Sequence, residues 1–208
     1  MKHKSRIKTT AEIFTPPELV NEMLDKIPDE QYVDTKTFCD PACGDGAFLI
    51  ELKKKLVSRN IPAQHVTFNQ LYGAELMTDN AMDCIFKMLT SGKVDLDDVE
   101  IDRIGKRNQT LPRAIAVEDN DKLIVSRYRF NDMSICIARA TQQSVRVSPK
   151  YVGVKRKLIT QELKRGVKWF NFKINDGEWW TFPNIVSCNS LEYDFTFGRD
   201  PDFRLDDS

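Results

Sequence analysis

The run DPACGDGAFLIEL, residues 40–52, places two glycines two positions apart, directly before an apolar segment. The preceding TKTFCD, residues 35–40, is typical of a short buried strand. The following stretch predicts a helix over residues 47–59, because its apolar residues recur at helical spacing. Lysines 53–55 are expected on the solvent side of that helix. A strand, a tight glycine turn and a helix in immediate succession are typical of α/β proteins.

The same pattern recurs further along the chain. VTFNQLYGAEL predicts a second strand that ends at Glu75, and TDNAMDCIFKMLT predicts a second helix. Upstream, residues 11–27 predict a helix with a capping box between Thr15 and Glu18 and with Pro16 in its first turn. This alternation of strands and helices predicts a doubly wound α/β sheet.

Residues 110–182 have a different, mostly β character. Five runs are typical of strands, and they are KLIVSRYRF, MSICIARA, SVRVSPKYVGV, VKWFNFKI and EWWTF. Residues 175–177 (Asn-Asp-Gly) predict a hairpin turn, and KLITQELKRG is the one helical run. NIVSCNSLEYDF then predicts a third core strand and its loop. We therefore expect a core over residues 1–109, a β-rich insertion over residues 110–182, and a return to the core over residues 183–208.

The glycine turn is suited to a small ligand. Gly44 and Gly46 let a ligand approach the backbone, and the helix N-terminus behind them carries a partial positive charge. A dinucleotide fingerprint would need a third glycine where Leu49 stands, and no Lys-Ser pair of a P-loop follows. Pyrophosphate binding is therefore the poorer interpretation.

Two acidic residues indicate which ligand the turn would take. Asp40 ends the first strand, where a carboxylate repels phosphate and suits an amino group or a sulfonium. Glu75 ends the next strand, where an acid can accept both hydroxyls of a ribose. Together they favour S-adenosylmethionine over NAD or ATP. The structural alternative is a tight connection in which Asp45 caps the helix.

Four segments in this order resemble the adenine-specific, amino-methylating DNA methyltransferases, namely IFTPPELV, DPACGDGAFL, YGAEL and NIVSCNSLEYDF. The resemblance covers residues 10–90 and 184–198, and it is greatest to the modification and phage methylases whose cofactor segment comes first. It implies a partial Rossmann-like S-adenosylmethionine-dependent methyltransferase core with a mainly β insertion, active in DNA methylation and restriction-modification. The cofactor contacts that the resemblance implies are Phe14 and Thr15 at the methionine carboxylate, Asp40 at its amino group, Cys43, Gly44 and Gly46 along the methionine, Glu75 at the ribose, Leu76 and Met77 on the adenine face, and Asn189, Ser190 and Leu191 around the adenine.

Two features depart from that family. Asn189 stands where the family usually has Asp, although an amide oxygen can still accept a hydrogen bond from the adenine amino group; a plain loop-turn role is the alternative. The Asn/Asp-Pro-Pro-aromatic segment, which in the family orients the target amino group and stacks on the flipped base, does not occur in the 208 residues. We therefore predict no catalytic residue within this chain.

Three functional interpretations follow. The first is the cofactor-binding part of a DNA adenine methyltransferase, truncated or split, with a second polypeptide supplying the catalytic segment and the target-recognition domain. The second is a catalytically inactive methyltransferase-like subunit or regulator that binds cofactor or DNA. The third, a methyltransferase acting on RNA or a small molecule, is disfavoured by the Phe-Thr-Pro-Pro and Asp-Pro-Ala-Cys-Gly segments. Three core strands would also leave a sheet edge uncovered, so we expect a partner or the insertion to lie against it.

The insertion is strongly basic although the whole chain is neutral. The chain carries 31 Lys and Arg against 31 Asp and Glu, whereas residues 139–173 contain ten basic residues and one acidic residue. Basic residues interleaved with aromatic ones suit phosphate contacts and base stacking, and the resemblance implies double-stranded DNA as the partner; the alternative is a small aromatic core with a solvated basic face. The predicted DNA contacts are Arg156, Lys157, Lys164, Arg165, Lys168 and Trp169.

Composition excludes several other classes. No apolar run approaches the ~20 residues that a membrane span needs, and the first residues lack the apolar core of a secretory signal. The five scattered cysteines predict reduced, buried thiols, and we expect no metal site because no His or Cys completes a set with Cys39 and Cys43. The expected location is the cytoplasm of a bacterial or phage-infected cell.

Overall fold

The fold is a mixed α/β structure in which a parallel sheet and an antiparallel sheet share a core. The computed structural model describes residues 15–90, 113–116, 122–130, 133–148 and 154–199. Its helices and strands are α1 Pro17–Leu24, a 3-10 turn Asp29–Gln31, β1 Phe38–Asp40, α2 Ala47–Val57, a helical turn Ala63–His65 that continues as a π-helical turn Val66–Gln70, β2 Leu71–Glu75, α3 Thr78–Thr90, β3 Arg113–Ala116, β4 Lys122–Phe130, β5 Met133–Arg139, α4 Arg156–Lys164, β6 Phe170–Ile174, β7 Trp180–Thr181 and β8 Ile185–Ser187.

Within the described residues, the parallel sheet has three strands in the order β1-β2-β8. Its central strand β2 is buried at all five positions, as expected for a parallel strand that is covered on both faces. Leu71 packs on the side of α2 and α3, whereas Tyr72 and Ala74 pack against Trp169 and the segment that follows β8. The alternation of side chains along β2 thus builds a core on each face of the sheet.

The antiparallel sheet follows the order β3-β4-β5-β6-β7. It packs on α3, where the Phe86 and Tyr128 rings stack with centroids 4.3 Å apart. Ile135, Ile137 and Phe172 lie in the same buried cluster as the helices that cover the parallel sheet. The β-rich insertion therefore does not fold around a core of its own but extends the core of the parallel sheet.

Among the described residues, an isolated bridge joins the segment just before β6 to β8 of the parallel sheet. The Lys168 N–H donates to the Ser187 carbonyl at 2.9 Å, and the Ser187 N–H donates to the Lys168 carbonyl at 2.8 Å, so residue 168 lies antiparallel to β8. Two residues later the chain enters β6. The expectation that the insertion lies against an edge of the core sheet is confirmed, and the covered edge is the outer side of β8.

The predicted helix start at Thr15 is wrong by one residue. The helix begins at Pro17, and Pro16 is the N-cap, with extended backbone and no side-chain cap hydrogen bond. Because a residue before proline is sterically excluded from helical backbone angles, Pro17 keeps Pro16 outside the helix and places Thr15 too far from the first turn. The capping box with Glu18 does not form.

The prediction that Lys53 faces solvent is wrong. Its side chain is fully buried, and its Nζ donates to the Met88 carbonyl in the last turn of α3 at 2.6 Å. Burial lowers the pKa of Lys53 to about 7. Lys53 follows Leu49 by four residues and precedes Leu56 by three, so it belongs to the apolar stripe that faces α3.

The remaining elements divide between confirmation and correction. The helix after Lys155 and the hairpin turn at residues 175–177 form as predicted. The strand predicted over SVRVSPKYVGV is wrong for residues 144–148, which form a turn and an irregular segment, and VTFNQ is π-helical, so β2 begins only at Leu71. The five cysteines are free of disulfides, but Cys39 is exposed and Cys188 is half-buried rather than buried.

Candidate functional site

The carboxyl ends of the three parallel strands meet at one edge of the sheet. β1 ends at Asp40, β2 at Glu75 and β8 at Ser187, and the strand pairing places Glu75 beside Ser187. The Cys188 N–H donates to the Glu75 carbonyl at 3.0 Å and so holds the chain after β8 against this edge. Ligands of parallel α/β sheets bind outside such an edge.

The glycine turn between β1 and α2 uses backbone conformations that favour glycine. Gly44 has φ +54° and Gly46 has φ +91°. A Cβ on Gly46 would lie 2.8 Å from Cys84 Sγ, whereas a Cβ on Gly44 would meet nothing within 4 Å. Gly46 is therefore required by close packing on α3, and the space above Gly44 is open, as close approach of a ligand requires.

Glu75 links the turn to the neighbouring strand. One carboxylate oxygen accepts from the Gly44 N–H at 2.9 Å, and the other accepts from the Met77 N–H at 2.7 Å. The side chain is 9 % exposed. Each oxygen keeps a lone pair beyond these bonds, so the carboxylate can accept two further donors from a ligand.

Asp40 lies on the adjacent strand and is half-buried. Its Oδ1 accepts from the Ala42 N–H at 3.0 Å, which closes a small turn at the end of β1. Burial raises the pKa of the Asp40 carboxyl above its ordinary value. A partly desolvated carboxylate of this kind gains from a cationic partner.

Two side chains of the turn do not point where the sequence indicated. The Cys43 thiol is buried under Gly73, and its hydrogen bond with Cys84, together with burial, raises the pKa of Cys43 well above its ordinary value. Any contact of Cys43 with a ligand would therefore come from its backbone. Asp45 does not cap α2, because Gly46 is the N-cap. The Asp45 carboxylate instead forms an ion pair with Lys87 of α3 at 2.6 Å.

The residues predicted around an adenine border the same edge. Leu76 is 65 % exposed, Met77 and Ser190 are half-buried, and Asn189 is exposed. The Asn189 Oδ1 accepts from the Leu191 N–H at 3.2 Å, so the amide already serves the turn after β8. Its second lone pair is left for a ligand.

Glu162 of α4 is a functional candidate that the sequence analysis missed. It is 4 % exposed, and its carboxylate accepts from Trp169 Nε1 at 2.8 Å, from the Tyr193 hydroxyl at 3.2 Å, from the Thr196 hydroxyl and from the Gly198 N–H at 3.1 Å. Its signal in the sequence is that it is the single acid of a basic segment. A cavity of about 210 Å³ lies between α4 and the turn after β8, with Glu162, Arg165, Cys188 and Asn189 in its lining.

The predicted DNA contacts divide into two groups. Arg156, Lys157, Lys164 and Arg165 are exposed along α4 and at its end. Lys168 instead extends to the parallel sheet, where its Nζ donates to the Thr78 hydroxyl at 3.0 Å. The assignment of Trp169 as a stacking residue is wrong, because its ring is fully buried and its indole N–H is bonded to Glu162.

Some expectations lie outside the described part of the chain or concern absent features. Phe14 is outside the described residues, and Thr15, at their start, is half-buried. In the part that is described, no group of three or more His, Cys, Asp or Glu side chains is arranged to hold a metal ion. No described helix combines the length and apolarity needed to cross a membrane.

The fold and the site together define a mixed α/β protein. The carboxyl edge of its parallel sheet has the features of a ligand-binding site, namely a glycine turn and two parallel strands that each end in an acidic residue. The family model for N-6 DNA methylase matches residues 2–133, well over half of the chain. The chain therefore belongs to the N-6 DNA methylase family. Neither a curated protein nor a solved structure matches it.

Proposed function

We propose that this chain binds S-adenosylmethionine at the carboxyl edge of its parallel sheet, and that it is the cofactor-binding part of an adenine-specific DNA methyltransferase with a Rossmann-like core. The observation that carries the proposal is the Glu75 carboxylate, which ends β2 and reaches the Gly44 N–H of the turn after β1. This contact places an acidic acceptor beside a glycine backbone with open space above it. Membership of the N-6 DNA methylase family supplies the DNA substrate class.

The ribose end of the cofactor is assigned to Glu75. A ribose presents two adjacent hydroxyl donors, and the two carboxylate oxygens of Glu75 each keep a free lone pair. The existing bonds to Gly44 and Met77 hold the carboxylate in place before the ligand arrives. Preorganisation of this kind lowers the entropy loss on binding.

The methionine end is assigned to Asp40 and the glycine turn. Burial raises the pKa of Asp40 in the free protein, although the Ala42 N–H donates to its Oδ1. The α-ammonium group of the cofactor would supply a cationic partner and would favour the ionised carboxylate. The adenine would lie towards Leu76, Met77, Asn189 and Ser190.

Methyl transfer itself needs the Asn/Asp-Pro-Pro-aromatic segment, which the 208 residues do not contain. We therefore assign cofactor binding to this chain and the orientation of the target amino group to residues outside it, on a second polypeptide in our proposal. The second candidate function, a non-catalytic cofactor- or DNA-binding subunit, rests on the same observation. Transfer of a labelled methyl group from the cofactor to adenine in DNA by the assembled protein would distinguish the two.

DNA contact is assigned to the exposed basic residues of α4, namely Arg156, Lys157, Lys164 and Arg165. Their side chains are exposed, and the acidic residue of the same helix, Glu162, is buried away from solvent. The solvated face of α4 is therefore positively charged and suits phosphate groups.

The test of cofactor binding is calorimetric titration of the full chain with S-adenosylmethionine, S-adenosylhomocysteine, ATP and NAD. We expect binding of the first two, and loss of at least tenfold in affinity for Asp40→Ala and for Glu75→Gln, since a charge-assisted bond contributes about 1.5–3 kcal/mol. Asp34→Asn, an exposed carboxylate before β1, is the matched control and should bind like the wild type. Binding of ATP or NAD without binding of S-adenosylmethionine would refute the proposal.

A further inference from the structure

A groove of about 560 Å³ opens on the antiparallel sheet, apart from the cofactor edge. Its floor includes Ala138 and Asn171 of β5 and β6, and its walls include Gln143, Arg146, Arg156 and Trp179. A volume of this size is typical of small-molecule sites and suits one nucleotide.

The wall formed by residues 141–146 is held in place by hydrogen bonds. The Ser144 hydroxyl accepts from the Thr141 N–H at 2.7 Å and from Asn171 Nδ2 at 3.0 Å. The Arg146 carbonyl accepts from the Thr181 N–H at 2.7 Å, which ties the wall to β7. The groove therefore exists before any ligand binds, and closing it around a ligand would cost little ordering entropy.

The opposite wall is aromatic. Trp179 is half-buried and packs against Cys136 and Ala138, with Lys173 Nζ 5.4 Å from its ring centroid. The Arg146 guanidinium lies 4.6 Å from the Trp180 ring centroid and forms an exposed ion pair with Glu178 at 3.0 Å. Exposed ion pairs contribute little, so an arriving phosphate can replace the Glu178 carboxylate.

The charge around the groove favours an anionic ligand. The charged residues of its lining are Arg146, Arg156 and Glu178, and because Glu178 is paired with Arg146, the lining keeps a net positive charge. Arg156 lines the groove and also begins α4. At the other end of α4, Arg165 lines the cavity that Asn189 shares. The basic face of α4 therefore runs from the groove to the cofactor edge.

We propose that this groove binds one unpaired nucleotide of the DNA, with its base against Trp179 and its phosphate at Arg146 and Arg156, while the exposed face of α4 carries the adjoining strand towards the cofactor edge. The proposal rests on the proposed function for its choice of DNA. An aromatic wall suits a base because every base presents a π-face, and two arginines suit a phosphate because each offers a planar fork of donors.

The test is fluorescence anisotropy of a short labelled oligothymidylate with the full chain at several salt concentrations. Trp179→Leu should weaken binding about 5-fold to 150-fold, as stacking on one aromatic side chain contributes ~1–3 kcal/mol. Arg146→Gln should weaken binding and reduce the salt slope by about 0.7, the value for one phosphate contact on a single strand. Lys54→Gln, an exposed lysine on α2, is the charge-matched control.

Calorimetric titration with S-adenosylmethionine on the same variants separates the two proposals. Unchanged cofactor affinity with weakened oligonucleotide binding supports the groove. Wild-type oligonucleotide affinity in Arg146→Gln, or in a Trp179→Leu variant with native circular dichroism, refutes it even if the cofactor binds. If Trp179→Leu does not fold, Arg146→Gln alone decides, because the Arg146 side chain is half exposed.

Tighter binding of oligouridylate than of oligothymidylate would also refute the assignment to DNA. Failure of the wild type to bind S-adenosylmethionine would refute the proposed function instead.

Discussion

The two sheets of this protein differ in the predominant sign of the charged groups that they present and in the groups that hold each site in place. At the carboxyl edge of the parallel sheet the charged groups are carboxylates, and the groups that hold them are backbone N–H donors, namely Ala42 and Gly44 of the glycine turn and Met77 after β2. Around the antiparallel sheet, the cations Arg146 and Arg156 line the groove together with Glu178, and the groups that hold the groove are side chains such as Ser144 and Asn171. The carboxyl edge therefore depends on the backbone conformation of the turn, whereas the groove depends on individual side chains.

The difference follows from sheet geometry. Parallel strands bring their ends to one edge, so that Asp40 and Glu75 lie at the same edge of the sheet although 35 positions separate them in the sequence. Antiparallel strands alternate their ends, and their function depends on which residues face outward. The predictions below test whether the parallel edge depends on its backbone as strictly as this comparison implies.

The largest expected effect is that of Gly46→Ala. Positive φ costs about 1–2 kcal/mol for a residue with Cβ, and the Cβ contact with Cys84 adds about 1–3 kcal/mol of overpacking. We expect the free energy of unfolding, measured in urea, to fall by about 3 kcal/mol or more. Gly44→Ala is the matched control, with positive φ but no contact within 4 Å, and it should lose only about 1–2 kcal/mol.

Equal losses for Gly44→Ala and Gly46→Ala would contradict this account. They would mean that the loss of free energy of unfolding comes from the positive φ of the turn alone and not from the packing of Gly46 on α3. Gly44→Ala should nevertheless reduce S-adenosylmethionine affinity, since its methyl group would enter the space above the turn.

Next in size is the loss of the Glu162 carboxylate. Glu162→Ala leaves four donors from Trp169 and residues 193–198 without their acceptor, and we expect the free energy of unfolding to fall by about 3 kcal/mol. Glu162→Gln should lose less, because it keeps one acceptor oxygen. Gln161→Ala, exposed on the same helix, is the control. Wild-type stability of Glu162→Ala would show that side chains matter less in this region than the comparison requires.

Replacing the buried Lys53 is expected to raise the free energy of unfolding, by a smaller amount than the losses above. Its folded-state pKa of about 7 lies below the unfolded value, so the unfolded chain binds more protons between about pH 7 and pH 10, and stability rises with pH in that window. Lys53→Met should be more stable than the wild type by about 1 kcal/mol at pH 6, with the difference shrinking by pH 9. Thermal unfolding at both pH values measures this. A constant difference would contradict burial of the ammonium group.

The smallest expected effect is that of Asp40→Asn on stability. Because burial raises the folded-state pKa of Asp40, its stabilising contribution is present below the ordinary carboxyl pKa and is lost as pH rises through the raised value. Asp40→Asn should therefore match the wild type near pH 3 and be slightly more stable, by less than about 1 kcal/mol, at pH 7. A lower melting temperature of the variant at pH 7 would contradict this assignment.

Local patterns predicted elements of both sheets, and β4 and β5 coincide with the predicted runs KLIVSRYRF and MSICIARA to within one residue. The glycine turn, the strand ends at Asp40 and Glu75 and the helix over Thr78–Thr90 follow from local patterns of apolar residues and turn glycines. The membership in the N-6 DNA methylase family follows from the same segments.

The wrong predictions concern side chains whose environment depends on packing between distant segments, which the spacing of apolar residues in the sequence does not indicate. Lys53 occupies an apolar stripe because α3 presents a carbonyl to it, and Trp169 is buried because Glu162 and the segment after β8 enclose it. The groove beside Trp179 depends on the hydrogen bond between Asn171 and Ser144, 27 positions apart, which no local pattern predicts.

Because of the bridge between Lys168 and Ser187, the inserted segment cannot be deleted without exposing the parallel sheet. Excising residues 110–182 would take away both hydrogen bonds on the outer side of β8, together with the indole that covers Tyr72 and Ala74. The shortened chain would expose an unprotected strand edge, which is a template for aggregation. A shortened version of this protein should therefore be made by trimming loops, and the bridge between Lys168 and Ser187 should be kept.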